Sequence, residues 1–239
     1  MTNSFEKQTY NSAKTFSYIV MAFFGGIGLC SIFYIIMCLF MIASPDTKIN
    51  LANGAAIHPA LGLIGLASTI ENLLRLLVIV FFLIWEYRSF SNLTALKAEV
   101  GEFSPGWAVG WWFIPLANLI KPFQAIRELW NESDPEFDEE AVFHYKGGVT
   151  PRIVGFWWAF FLLSNIANNL SNSLLSANNG RPFEGFPIFF IVTSFLQLTA
   201  IILIILIVKR ITERQEERFG KIIKSQQFTP PPPEFYQNG

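Results

Sequence analysis

Charged side chains are scarce in this chain. Only 15% of its 239 residues are Asp, Glu, Lys or Arg, against about 25% in a typical soluble domain. The net charge is −1, so no global field recruits nucleic acid or an acidic partner. Histidine is scarcer still, with His58 and His144 alone. No Ser-His-Asp set, His-Glu-x-x-His helix, phosphate loop or dinucleotide fingerprint can be read, so the chemistry those motifs support is not expected. The two cysteines, Cys30 and Cys38, fall in one apolar run. On a helix they stand about 12 Å apart along the axis, beyond disulfide reach. They read as small packing residues, with no thiolate metal site. The expectation is a non-enzyme without metal or cofactor.

Apolar sequence is in excess. The chain is 52% hydrophobic and carries 25 Phe and 7 Trp, more than one aqueous core of this length would bury. Four apolar runs cover residues 18–43, 63–87, 153–176 and 186–208. Each is near or above the ~20 residues with which a helix crosses ~30 Å of hydrocarbon. The pattern predicts an all-α membrane protein, a four-transmembrane-helix bundle whose solvent is the lipid bilayer. The first run is longer than the ~7–15 apolar residues of a cleaved signal peptide, so it reads as a retained helix.

Lysine and arginine alternate in density. Lys7 and Lys14 precede the first run, and the first loop holds only Lys48. The second loop holds Arg88, Lys97, Lys121, Arg127, Lys146 and Arg152, and the third only Arg181. Lys209, Arg210, Arg214, Arg218, Lys221 and Lys224 follow the last run. The positive-inside rule then places both termini and the middle loop in the cytoplasm, in a multi-pass cell-membrane topology. The chain divides into a cytoplasmic N-terminus (1–15), a membrane domain (16–210) and a cytoplasmic charged helix with a Pro-rich tail (211–239). The Asn-x-Ser/Thr matches at Asn92, Asn131 and Asn169 fall on cytoplasmic or membrane positions and read as chance rather than glycosylation sites.

The middle loop contains an apolar stretch, 107–120, with Pro115 at its centre. It is short for a span, and Pro115 removes a backbone donor. A re-entrant or interfacial segment over 104–131 is expected between helices 2 and 3. Trp107, Trp111 and Trp112 suit the headgroup level, and Asn118 is placed to satisfy backbone groups freed at the break. After Pro122, residues Phe123, Ile126, Leu129 and Trp130 recur at helical spacing, with Gln124, Arg127 and Glu128 on other faces. That reads as an amphipathic helix on the membrane surface. A full span over 107–130 would invert everything downstream and put the basic end outside, against the charge pattern.

The run Ser104, Pro105, Gly106, Trp107, Ala108, Val109, Gly110, Trp111, Trp112, Phe113, followed by Pro115, Ala117, Asn118, Pro122, Phe123, Glu128, Leu129 and Trp130, resembles the motif of a bacterial membrane family, domain of unknown function 4328. Trp85, Tyr87, Arg88 and Asn92 before it, and Gly155, Trp157, Trp158, Ser164 and Asn165 after it, fit the same pattern. The resemblance covers about residues 60–210 and implies a multi-pass membrane protein and no activity. Gly110-Trp111-Trp112 and Gly155-Phe156-Trp157-Trp158 echo one another, each followed by an asparagine, Asn118 or Asn165. They read either as two interfacial anchors or as a degenerate transporter-type repeat.

Polar residues interrupt the apolar runs at few places. Asn165, Asn168, Asn169 and Asn172 have the i, i+3, i+4, i+7 spacing of one helix face. Amides facing lipid lack partners, so the stripe is expected to face other helices or water. Glu71 and Arg75 lie four apart and can pair. Thr193, Ser194 and Gln197 fall at a similar depth on the last helix. Together they outline a polar seam between helices 2, 3 and 4, either interhelical glue or a cavity open to the outside. Ala22, Gly26 and Cys30 recur every four residues, a small-residue seam for close helix approach within the chain or between copies in a homo-oligomer.

Outside the bilayer, the acidic run over 132–140 lacks the spacing of a calcium loop and reads as a solvated linker. Residues 209–224 read as a helical continuation, and the prolines from Pro230 to Pro233 as an extended tail. Two functions compete. One is a scaffold or regulator of a membrane or cytoplasmic protein partner. The other is a small transporter or channel component that uses the seam. If lipid shields the apolar runs, the purified chain should stay monodisperse only with an amphiphile present. Gel filtration in plain buffer checks this, and a monodisperse detergent-free peak refutes it.

Overall fold

The computed structural model describes residues 9–50, 56–98, 101–135, 150–179, 181–183 and 185–227. In chain order they form α1 (Lys14–Ala43), a two-strand hairpin of β1 (Ile49–Asn50) and β2 (Ala56–Ile57), α2 (Pro59–Ala95), α3 (Pro105–Gly110), α4 (Lys121–Glu132), α5 (Arg152–Ala177) and α6 (Phe186–Gln227). Four of these, α1, α2, α5 and α6, are long and apolar enough to cross a membrane. The protein is an all-α membrane bundle. Glu136–Glu140, His144 and the Pro-rich tail lie outside the described residues.

The surface is what identifies the solvent. Leu29 is 68% exposed and Ile166 65%, and large apolar side chains project outward along all four long helices. Only lipid makes that surface stable. The helix starts are set locally. His58 caps α2 by accepting the Ala60 N–H at 3.2 Å, with Pro59 in the first turn. Its other ring nitrogen lies 3.2 Å from the Ser44 carbonyl, which ties the end of α1 to the start of α2. Ser104 and Pro105 begin α3 in the same way.

The spatial order of the helices differs from the chain order. α1 packs along both α2 and α6, α5 packs along α6, and α2 and α5 do not pack along one another. The order across the bundle is therefore α2–α1–α6–α5. Two glycines let α1 sit in the middle. A Cβ at Gly26 would lie 3.1 Å from Leu74 of α2, and one at Gly28 would lie 3.5 Å from Leu198 of α6. Of the small-residue seam expected at Ala22, Gly26 and Cys30, Gly26 makes the close approach, while Ala22 is exposed. Gly28, on another face, was not part of that pattern.

The segment between α2 and α5 folds back on itself and does not span. The chain turns through short 3-10 turns, Trp111–Phe113 and Ala117–Leu119, with Leu116 at φ 66°. The bond across the turn is from the Asn118 backbone N–H to the Ile114 carbonyl, 3.0 Å. The expected repair thus uses the main chain of Asn118. The Glu128 carboxylate then accepts the N–H groups of Glu102 (3.1 Å) and Phe103 (3.2 Å), and Lys121 pairs with Glu102 at 2.9 Å. These bonds return α4 to the start of α3. A side chain at Gly101 would collide with that carboxylate. Burial pushes the Glu128 carboxyl above its ordinary range, and the two N–H donors pull it back. The apex of the turn is apolar and open, with Leu116 81% exposed.

This arrangement gives the bundle two unlike ends. At the tryptophan end, α3 and α4 cover a core of Trp85, Ile126, Leu129, Val154, Trp157 and Ile211. At the hairpin end, a smaller cluster holds Tyr34, Cys38 and Ile64. α6 runs 42 residues without a break through position 210. Gly28→Ala adds a methyl at ordinary contact distance and should leave the melting temperature in detergent within a few degrees. Gly28→Leu should separate α1 from α6 and cost about 1–3 kcal/mol by overpacking. Thermal unfolding monitored by tryptophan fluorescence checks both.

Candidate functional site

Glu71 is the centre of a polar cluster inside the bundle. It sits on α2 about 21 Å along the axis from Trp85, with Arg75 at about 15 Å. Glu71 is buried, and both of its oxygens are engaged. Oε2 accepts the Tyr34 hydroxyl of α1 at 2.7 Å. Oε1 accepts the Arg75 Nε at 2.9 Å and the Gln197 amide of α6 at 2.6 Å. The same Gln197 nitrogen lies 3.2 Å from the Ser31 hydroxyl, and its oxygen accepts a long 3.4 Å bond from Asn168 of α5. One carboxylate therefore ties α1, α2 and α6 directly, and α5 through Gln197. Bonds of this kind between membrane helices contribute about 0.6–2 kcal/mol each.

The sequence-predicted residues divide into two groups. Glu71, Arg75, Gln197 and Asn168 are brought together. Asn165 lines the same cavity as Arg75, Asn168 and Gln197, while Asn169 and Asn172 do not. Asn165 donates to the Phe161 carbonyl at 2.7 Å and Asn169 to the Asn165 carbonyl at 2.9 Å, both on their own helix. Asn165, Asn169 and Asn172 are exposed. An amide can satisfy its donor on the carbonyl one turn back without a partner helix, as Asn165 and Asn169 do, and of the stripe Asn168 bonds across to another helix. Thr193 and Ser194 likewise bond back, to Phe189 and Phe190.

Sequence reasoning missed three contributors. Ser31 and Tyr34 lie in the first apolar run, i and i+3, and that spacing of hydroxyls was the available signal. Glu86 is the third. It is fully buried at the tryptophan end, and its Oε2 accepts the Trp112 indole N–H at 2.8 Å. Its other oxygen has no hydrogen-bond partner among the described residues. An acid beside a tryptophan belt invites the reading of a surface residue, and Trp112 is what covers it.

The motif residues build the tryptophan end. Trp112 packs edge-to-face on Phe82 and Trp158. Trp158 donates to the Leu119 carbonyl at 3.0 Å, and Trp85 to the Thr212 hydroxyl at 3.0 Å. Trp107 and Trp111 lie ring to ring at 4.9 Å, with the Lys121 ammonium 5.7 Å from the Trp111 ring. The Arg214 guanidinium covers Trp130 at 4.6 Å. Ser104 caps α3, and Pro122 is buried in the first turn of α4. Gly106, Gly110 and Pro115 are backbone positions in this fold-back.

Between α2 and α5 lies a cavity of about 400 Å³. Phe24 and Ile27 of α1 and Ile201 and Ile204 of α6 form its floor, and Trp112 and Phe113 close its tryptophan end. Arg75, Asn165, Asn168 and Gln197 line its polar part. Because α2 and α5 do not pack together, its open side faces sideways. Among the described residues, no group of three or more His, Cys, Asp or Glu is placed to hold a metal.

Removing Glu71 alone strands the Arg75 charge in the bundle. Glu71→Leu should therefore lower stability in detergent by more than Glu71→Leu/Arg75→Leu, which removes both charges. Tyr34→Phe deletes one donor to the carboxylate and should cost about 1–3 kcal/mol. Denaturant titration of the purified variants checks the order.

No curated protein and no solved structure matches the chain. The family model described as domain of unknown function (DUF4328) matches residues 51–213, more than half of the sequence. The matched stretch contains Glu71, Arg75, the tryptophan fold-back, the α5 asparagines and Gln197, and leaves out α1 with Ser31 and Tyr34. This chain belongs to the DUF4328 family.

Proposed function

We propose that this protein is a non-catalytic scaffold or regulator of a membrane-associated protein partner. It sits in the cell membrane with both termini and the tryptophan end in the cytoplasm. The observation that carries this reading is where the motif residues go. Most of them join α3, α4 and α6 into one block at the tryptophan end, while Trp112, Phe113, Trp157, Ser164 and Asn165 also line the cavity between α2 and α5. Arg218 completes the block by donating to the carbonyls of Glu132 at 2.7 Å and Lys97 at 3.1 Å. A rigid platform loses little entropy when a partner docks. The orientation rests on the lysine and arginine bias of the loops.

A second reading, a transporter or channel component, is favoured by the cavity between α2 and α5. Two features weigh against it. The Glu71 carboxylate is closed by its own neighbours, and most of the cavity wall is apolar.

A C-terminal reporter fusion should report the cytoplasmic side. Complexes isolated from native membranes in mild detergent should contain a protein partner. The variant Trp107→Ala/Arg127→Glu changes the platform surface and should lose that partner while inserting at the wild-type level. Isolation of the chain alone after crosslinking, together with solute flux in proteoliposomes that Asn168→Leu abolishes, overturns the scaffold reading in favour of the second.

A further inference from the structure

The Arg75 side chain is only partly used. Its Nε and Nη2 are bonded to Glu71, while Nη1 has no hydrogen-bond partner among the described residues. The side chain is 41% exposed and lines the cavity between α2 and α5. It lies about 15 Å along α2 from Trp85, near the middle of a ~30 Å hydrocarbon layer. A guanidinium with an open N–H edge at that depth requires an acceptor, because hydrocarbon offers none.

Three features define the acceptor. The first is charge. Glu71 already neutralises Arg75, so the incoming group need not be an anion, and a carboxylate would face Glu71 close by. The second is depth. Phospholipid headgroups and their ester carbonyls lie at the interface, so they do not present oxygen near the midplane. The third is shape. The cavity holds about 400 Å³, within the ~300–1,000 Å³ range of small-molecule sites. From Arg75 it extends along Val78, Phe82, Phe161 and Ile204 to Trp112. The wall is apolar and aromatic, with its polar groups gathered around Arg75, and it is entered sideways from the lipid.

We propose that the cavity between α2 and α5 binds a neutral, lipophilic carbonyl compound dissolved in the bilayer interior, of the quinone type, with its oxygen on Arg75 Nη1 and its apolar body along the aromatic wall. Asn168 and Gln197 hold the polar end of the site through their link to Glu71. Binding involves no bond making and no electron transfer. The site shares Trp112 with the tryptophan end, but a ligand there needs no protein partner, so it stands or falls without the scaffold reading.

The test uses the full chain, delipidated in detergent, with decylubiquinone as probe. Trp112 and Trp157 line the cavity, so a bound quinone should quench tryptophan fluorescence saturably and raise the melting temperature. Arg75→Gln should weaken the apparent affinity about tenfold or more, the size expected for losing a hydrogen bond to a charged group. That variant leaves Glu71 unbalanced, so a second one is needed. Ile79 is an exposed residue lining the same cavity. Ile79→Trp should obstruct the entrance and abolish saturable quenching while the protein melts at the wild-type temperature without probe. Undecane and decanoate, which share the chain but lack a neutral carbonyl, should give no saturable shift in melting temperature. Quenching that never saturates, equal responses from both variants and wild type, or stabilisation by decanoate alone would each overturn the proposal.

Discussion

Hydrocarbon supplies no hydrogen bonds, and one buried carboxylate sets the terms for the rest of this bundle. Glu71 holds a charge far from water, so its neighbours must come from other helices. Tyr34, Arg75 and Gln197 meet that demand from α1, α2 and α6. The geometry follows from it. α1 must lie between α2 and α6 to bring Tyr34 and Ser31 to the same point, and Gly26 and Gly28 allow it to lie there. Of the other long helices α5 packs along α6 alone, which leaves the space between α2 and α5 unfilled. The cavity is therefore a consequence of how the polar cluster is closed, as well as a candidate site.

The tryptophan end solves a different problem. A proline-broken segment cannot satisfy its own backbone, so it needs donors and acceptors from outside. Glu128 supplies acceptors for the start of α3, and the Trp158 indole bonds the Leu119 carbonyl just before α4. Each tryptophan also has an apolar ring to bury and a single N–H to satisfy. Trp85, Trp112 and Trp158 all do both, which explains why aromatic residues with a polar edge are concentrated here rather than phenylalanine.

The sequence and the structure agree where the information is local. Four spans were legible because length and hydropathy alone decide them. The Glu71–Arg75 pair was legible because it joins residues of one helix turn, and the fold-back because Pro115 interrupts a run too short to cross. Non-local facts were hidden. Nothing in the composition of α1 says that it packs along both α2 and α6. Ser31 drew no attention because serine and threonine hydroxyls in lipid-spanning helices normally bond back to their own carbonyls, as Thr193, Ser194 and Ser31 itself do, and Tyr34 because it reads as one more aromatic ring in an apolar run. The asparagine periodicity was read correctly as one face, but a periodicity does not tell which face meets a neighbour. Only Asn168 points to Gln197. Glu86 was concealed by the tryptophan beside it, since burial there depends on Trp112 folding back from a distant part of the chain.

α6 is about 63 Å long at the standard rise, roughly twice the hydrocarbon thickness. Half of it touches lipid and the other half carries Arg214, Gln215 and Arg218, which grip α2, α4 and the residues after it. One unbroken helix thus joins the two levels mechanically: a tilt of a few degrees at Gln197 would have to carry the whole gripped block with it, through several ångströms at the far end.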